Sequence, residues 1–434
     1  MQNSDNRLGA KEYLLGLQHL FAMFGATVLV PIITGLNTSV ALVAAGIGTL
    51  LFHLCTKFKV PVFLGSSFAF MTALAAAVST KGIPYAQGGI IVAGIVYLVF
   101  SLIALLVGSE KIKDIFPPVV TGPVIVVIGI GLADVAIKDA FNLSASAEAL
   151  AAFQTVGFNS QTLLSLGIAA FTLFVVIACQ MFAKGFFKLV PILIGLAAGY
   201  LLCLILNFFG LYTMDFSAVK NAAWINIPYV TKDFFTLPKF DTGIILSIAP
   251  IAIVTFMEHI GDITTNGTVV GKNFFKDPGL HRTLLGDGLA TMLAGFIGGP
   301  ANTTYSENTG VLATTKNYDP RVLRIAAVFA IILGFFGKFG AILQTIPGPV
   351  KGGVELMLFG MIASIGIRSL AEANLDFTHS RNLAIVALIL VSGLGIYMIG
   401  GIPIFIGAVS INLSGLFVAT ILGVSLNLIL PEGI

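Results

Sequence analysis

Long apolar runs separated by short polar breaks recur from one end of the chain to the other. Most are near the roughly 20 residues that an α-helix needs to cross a bilayer. Seven fall at about 14–34, 38–56, 60–79, 85–107, 115–137, 160–183 and 187–209. Seven more follow at about 241–265, 281–298, 300–314, 320–345, 349–367, 383–405 and 408–430. Two of the fourteen, 60–79 and 300–314, are irregular. In the second, G-G-P-A-N-T-T-Y-S (Gly298 to Ser306) leads into E-N-T-G-V-L-A-T-T-K (Glu307 to Lys316). Gly, Pro and hydroxyls crowd a stretch that is otherwise flanked by long apolar spans, and a carboxylate sits at its centre. The pattern predicts a discontinuous span, an extended piece followed by a half-helix. Irregular backbone at membrane depth is tolerated where it lines a cavity or is buried in protein. The free N–H groups at the start of a half-helix suit a polar ligand.

Composition agrees with a membrane class and excludes a soluble domain. Hydrophobic residues make up 57% of 434 positions and charged residues 10%, with a mean hydropathy of +1.00, more apolar surface than one soluble domain can hide. Cys55, Cys179 and Cys203 lie in apolar spans without metal-like spacing and read as small core residues. The net charge of +3 says less than its distribution. With the N-terminus in the cytoplasm, the cytoplasmic ends hold sixteen basic residues, among them Arg7, Lys57, Lys184, Arg282, Arg324 and Arg368. The other side holds six: Lys81, Lys138, Lys220, Lys232, Lys239 and Lys351, with Lys338 inside a span. That asymmetry predicts an even number of crossings with both termini cytoplasmic, in the cytoplasmic membrane. The outer stretch 210–240 is rich in aromatics (Tyr212, Phe216, Trp224, Tyr229, Phe234, Phe235), as expected of an interfacial segment.

An internal repeat organises the spans. Gln18-His19 matches Glu258-His259, Gly46-Ile47-Gly48 matches Gly286-Asp287-Gly288, and Ser66-Ser67 matches Ser306-Glu307, all 240 residues apart. Seven spans per half is an odd number, so the halves are inverted relative to each other. The predicted fold is an all-α membrane protein of 14 transmembrane spans in two inverted 7-span repeats, with spans 3 and 10 broken into a short strand and a half-helix. Secondary transporters are built this way, with the site at the repeat interface.

Ionisable groups inside apolar spans are costly and therefore functional candidates. Glu258 and Asp262 stand four apart in M-E-H-I-G-D-I-T-T and share a helix face, while His259 is rotated away from Glu258. Glu307 comes from the tenth span. Two or three carboxylates meeting in a partly dry cavity cannot all stay ionised, and a proton-coupled carrier uses that chemistry. A carboxylate pair also suits a ligand with ring N–H donors, and half-helix amides suit its carbonyls. For Asp262 and His259, bonding between helices is an equal reading. Asp287 either bridges helices or joins a proton path, and Glu355 faces a vestibule or a subunit contact. His19 supports the core, and His53 caps a helix end. The sequence has no P-loop, zinc spacing or Ser-His-Asp arrangement, so no enzyme, cofactor or metal site is expected.

These residues resemble the nucleobase–ascorbate transporter family, also called nucleobase:cation symporter 2, in its uracil branch. The family signature is met by Glu307, Asn308, Gly310, Thr315 and Lys316. L-Q-H-L-F-A-M-F-G-A-T-V-L-V-P (Leu17 to Pro31), L-G-S-S-F-A-F (Leu64 to Phe70), E-H-I-G (Glu258 to Gly261), K-D-P-G-L-H-R (Lys276 to Arg282) and N-T-T-Y-S-E-N (Asn302 to Asn308) extend the likeness along the chain. The resemblance implies a core domain (1–110 and 241–345) and a gate domain (111–240 and 346–434). It implies a base held by Phe68, Glu258, Ser306 and Glu307, with backbone amides at Phe68 and Ser306 donating to carbonyls. Glu258, Asp262 and His259 are the implied proton-coupling groups, and Ser67, Asn308, Phe359 and His19 the pocket's support. Three positions depart from the uracil branch: Asp262 stands for His, Ser306 for Gly and Phe359 for Tyr. The first keeps xanthine open beside uracil.

The expected activity is proton-coupled import of a nucleobase, uracil first, by alternating access. A xanthine or purine-base symporter is the alternative, and an anion carrier or channel of the same architecture a third reading. A channel or anion carrier would be expected to place Arg or Lys, or no charge, in the site, whereas no basic residue lies near Glu307 before Lys316. Expected partners are the nucleobase, protons and membrane lipid, with a homodimer as the oligomeric option and no nucleic acid.

Overall fold

The computed structural model describes residues 9–145, 147–407 and 409–431. Arg7 lies outside them. Among the described residues nine helices are long and apolar enough to cross a membrane. They are α1 (Ala10–Thr34), α2 (Thr38–Cys55), α4 (Ile83–Val107), α5 (Pro118–Ala140), α6 (Ser160–Phe182), α7 (Pro191–Phe208), α8 (Thr242–Val270), α12 (Gly348–Glu372) and α13 (Ser380–Met398). Between them stand β1 (Leu64–Ser66), α3 (Phe68–Lys81), α9 (Leu280–Ile297), β2 (Asn302–Thr304), α10 (Ser306–Thr315) and α11 (Pro320–Phe335). The chain closes with β3 (Ile402–Ile406), β4 (Val409–Leu413) and α14 (Gly415–Ile429).

The two irregular segments are broken where expected, and the local chemistry explains it. Gly298, at φ +93°, ends α9, and Pro300 cannot continue it. Asn302–Thr304 runs extended, α10 starts at Ser306, and Lys316 in the left-handed region ends it. β1 pairs antiparallel with β2 in the register Leu64↔Thr304, Gly65↔Thr303, Ser66↔Asn302. Two strands of three residues leave backbone groups unpaired at membrane depth, and neighbours complete them. Ser67 N–H donates to the Ala301 carbonyl at 2.9 Å and Tyr305 N–H to that of Phe63 at 3.0 Å. The Thr49 hydroxyl accepts from Leu64 N–H at 2.9 Å, and the Thr291 hydroxyl donates to the Asn302 carbonyl at 2.9 Å.

Small residues let the helices that frame this crossing approach closely. A β-carbon at Gly46 of α2 would meet the Ile331 side chain of α11 at 2.6 Å, and Gly334 of α11 faces Val43 of α2 in return. The same device joins α4 and α9, where Gly94 meets the Gly288 carbonyl and Gly288 meets Tyr97.

Several expectations are corrected in detail. The half-helices start at Phe68 and Ser306 and the strands at Leu64 and Asn302, so the counterpart of Ser306 is Phe68 rather than Ser66. The matched spacing slips because residues 56–63 connect α2 to β1 while the shorter 298–301 connects α9 to β2. Residues 402–406 pair antiparallel with 409–413 instead of ending one span and beginning the next. Phe234 does not lie at the interface; it is fully buried against Phe335 with ring centroids 5.4 Å apart. His53 caps no helix end and bonds the Val62 carbonyl at 2.8 Å, inside the core. Lys338 leaves its span, its Nζ donating to the Val219 carbonyl at 2.6 Å.

Gly65 is the tightest point of the crossing. A β-carbon there would lie 2.6 Å from both the Thr27 hydroxyl and the Tyr305 ring. Gly65→Ala is expected to cost about 1–3 kcal/mol by overpacking and to lower the melting temperature of the purified protein. Gly395→Ala, with nothing within 4 Å, is the control. Equal melting temperatures for the two variants would show that the crossing tolerates added bulk.

Candidate functional site

Elements from both halves of the chain meet at one cavity of about 480 Å³. β1 and α3 supply Ser66 and Phe68, α8 supplies Glu258 and Asp262, and β2 and α10 supply Thr303 to Glu307. The opposite wall comes from α5 and α12, with Thr121, Ile125, Ile362 and Ile365, and Arg368 and Glu372 stand towards the end of α12. Glu258 and Asp262 share the cavity because one helical turn separates them. Glu307 reaches the same space from the first turn of α10. No side chain caps the N-terminus of either half-helix, with Ser67 preceding one and Tyr305 the other. By contrast Asn37, Asp241, Asp319 and Ser414 each cap a neighbouring helix through their side chains. The two half-helix starts thus lie without a side-chain cap beside two carboxylates on the cavity.

The candidate residues separate into those on the cavity and those behind it. Phe68, Glu258, Asp262, Ser306 and Glu307 line it. Asp262 Oδ2 accepts from the Thr304 hydroxyl at 2.7 Å, which ties the carboxylate to β2. His259 points away, fully buried, with Nδ1 2.8 Å from Asp287 Oδ2 and Nε2 3.0 Å from the Thr283 hydroxyl. Asn308 and His19 also lie behind the wall, where Asn308 Nδ2 donates to the His19 carbonyl at 2.9 Å and faces its Nδ1 at 3.1 Å. That bond fixes α10 to α1. Ser67 is buried at the strand-to-helix turn, and its hydroxyl has no partner among the described residues. Phe359 of α12 meets the Phe68 ring edge-on at 5.5 Å between centroids.

Phe68 also borders a second cavity, of about 550 Å³, on its other side. There Thr72 and Tyr397 share a hydroxyl–hydroxyl bond and Lys81 pairs with Asp241. Asn412 N–H donates to the Ser247 hydroxyl at 3.2 Å. Phe68 therefore borders both chambers, with Phe359 packed against its ring.

The sequence reading missed Tyr305 and Thr304, although both lie in the quoted N-T-T-Y-S-E-N. The Tyr305 hydroxyl donates to the Ser66 carbonyl at 2.8 Å and bonds the Thr27 hydroxyl at 3.0 Å, pinning β1, β2 and α1 together. The only signal in the sequence was an aromatic with a polar tip inside a buried hydroxyl-rich stretch.

Known proteins bear on the arrangement. Residues 10–402 match a family described as a permease family. A probable uracil permease of Pasteurella multocida is 44% identical over 423 residues, covering 98% of this chain and 94% of its own. A uracil permease of Bacillus caldolyticus is 44% identical over 419 residues, covering 96% and 91%. Among solved structures, the transmembrane domain of a cyanobacterium bicarbonate transporter, BicA, superposes with a TM-score of 0.64 at 15% identity, covering 90% of this chain and 96% of that one. At that identity the likeness is one of fold. The family match and the near-full-length likeness to two uracil permeases, together with the membrane-length helices, lead to one conclusion: this chain is a multi-pass membrane protein that belongs to the permease family.

Proposed function

We propose that the protein is a proton-coupled symporter that imports a nucleobase, uracil in first place, across the cytoplasmic membrane. One observation carries the reading: Glu258, Glu307 and two uncapped half-helix N-termini face a single cavity. Uracil alternates ring N–H donors with carbonyl acceptors around its edge. Ionised carboxylates only accept and backbone amides only donate, so Glu258 and Glu307 take the N–H groups while the amides of Phe68 and Ser306 take the carbonyls. The names of the relatives agree with this substrate class.

In this reading the fold is a 14-span inverted repeat with both termini in the cytoplasm. Residues 1–110 and 241–345 form a core domain that holds the base, and 111–240 and 346–434 a gate domain that moves against it. The two chambers beside Phe68 are then the two routes of alternating access. Proton coupling follows from crowding, since Glu258, Asp262 and Glu307 share one poorly hydrated space and cannot all be ionised. Substrate binding and protonation are linked through the same side chains, and no further cofactor is invoked. Lipid surrounds the outer helices, and a second copy of the chain completes a homodimer.

Uptake of labelled uracil into proteoliposomes with an inward proton gradient tests the function. Accumulation that a protonophore abolishes, and that unlabelled uracil suppresses more than xanthine does, is the expected result. Stronger suppression by xanthine would move the assignment to the purine-base reading, for which Asp262 on the cavity wall speaks. Gradient-independent uptake would remove proton coupling.

Glu307→Gln keeps the shape but replaces part of an accepting edge with a donor and removes the charge. It is expected to forfeit a charge-assisted hydrogen bond worth about 1.5–3 kcal/mol, on the order of tenfold to a hundredfold in uracil affinity. Equilibrium binding to the purified variant measures this free of turnover. Unchanged affinity would take Glu307 out of the site.

A further inference from the structure

Glu355 on α12 lies outside both chambers and has no part in the substrate site. Its side chain is fully buried, and neither carboxyl oxygen has a hydrogen-bond partner among the described residues. The helix cannot easily turn it outward. A β-carbon at Gly352 would meet the Ala140 Cα at 2.6 Å, and one at Gly353 would meet the Thr172 side chain at 2.9 Å, so α12 is packed tightly on α5 and α6. One turn before Glu355 on the same face, Lys351 Nζ stands 2.9 Å from Asp139 Oδ2, with the two side chains 15% and 3% exposed.

The charges around it do not balance. Lys351 offsets Asp139, and Glu355 is left over. On α5 the other charged groups, Asp134 and Lys138, pair with each other at 3.0 Å and are about half exposed. α6 carries no charged residue or His and its titratable group is Cys179, while those of α7 are Tyr200 and Cys203. The Tyr200 hydroxyl is engaged with Thr345 at 2.7 Å. An ionised carboxylate buried without a counter-charge is heavily penalised and takes up a positive charge instead.

We propose that Glu355, with Asp139 and Lys351, forms a second proton-binding site, separate from the substrate cavity, in which Glu355 is held as the neutral acid. The proton comes from solvent onto one carboxyl oxygen and supplies the charge that Lys351 has spent on Asp139. One turn further along the same face is Phe359, whose ring meets Phe68. Loss of the proton leaves a bare charge in the α5–α12 seam and loosens the helix that carries Phe359. The site is a pH-sensitive element of those helices, and it stands whether or not the substrate is uracil.

Infrared absorption of protonated carboxyl groups in the purified protein at neutral pH reads the site directly. Glu355→Gln is expected to remove one protonated-carboxyl band. Asp139→Asn is expected to remove the same band without touching Glu355, because Lys351 is then free to neutralise an ionised Glu355. Melting supplies the second readout. The folded state holds a proton that the unfolded chain releases, so wild-type stability falls as pH rises. The melting temperature of Glu355→Gln relative to wild type should therefore climb with pH. An intact band in Glu355→Gln, or a pH-independent difference in melting, overturns the proposal. Recovery of the wild-type melting temperature at alkaline pH by sodium, but not by a large organic cation, would also overturn it, assigning the site to an alkali cation.

Discussion

A lipid bilayer offers backbone N–H and carbonyl groups no partner, and this chain breaks its helices twice at that depth. Everything about the centre of the molecule follows from how those breaks are satisfied. The β1–β2 pairing absorbs part of the exposed backbone. Thr49, Thr291 and Tyr305 absorb more through side chains that reach across from other elements. Glycines in α2, α4, α9 and α11 bring the framing helices close enough for those bonds to form. The uncapped starts of α3 and α10 are left, together with the half-buried carboxylates on the cavity. In the proposed mechanism, substrate and proton complete what the protein leaves open. Binding and structural satisfaction are then one process, which gives a carrier a reason to change shape when either is absent.

Much of this was legible in the sequence, for physical reasons that can be named. A carboxylate in an apolar run is costly, so Glu258 and Glu307 stood out, while Asp262 read equally as a bond between helices; all three line one cavity. Helical periodicity also separated His259 from Glu258, and His259 indeed bonds Asp287 behind the wall. Gly-Gly-Pro before a hydroxyl-rich stretch announced the broken span. What stayed hidden depends on partners far apart in the chain. The Tyr305 hydroxyl acts through Thr27 and Ser66, and no local pattern encodes either contact. The matched Gly and Ser pairs did not give the register of the two broken segments, because such short matches do not detect a difference in connector length. The paired strands 402–406 and 409–413 read as helix in the sequence because their apolar β-branched residues resemble the ends of spans.

Fold and site speak to different questions. The likeness to a bicarbonate transporter at 15% identity concerns the arrangement of helices, and one fold hosts many cargoes. Cargo is argued from the groups on the cavity. A free anion would meet Glu258, Asp262 and Glu307 unfavourably, whereas a neutral ring with N–H donors meets acceptors. The relatives' names point the same way along nearly the whole chain.

The central claim is that substrate and proton are held by the same half-buried carboxylates on the cavity. Calorimetric titration of uracil into the purified protein, repeated at one pH in buffers of different ionisation enthalpy, measures the protons exchanged on binding. The apparent enthalpy is expected to vary with the buffer in the wild type and to become nearly independent of it in Glu258→Gln. Uracil binding that exchanges no proton across a range of pH in the wild type would contradict the claim.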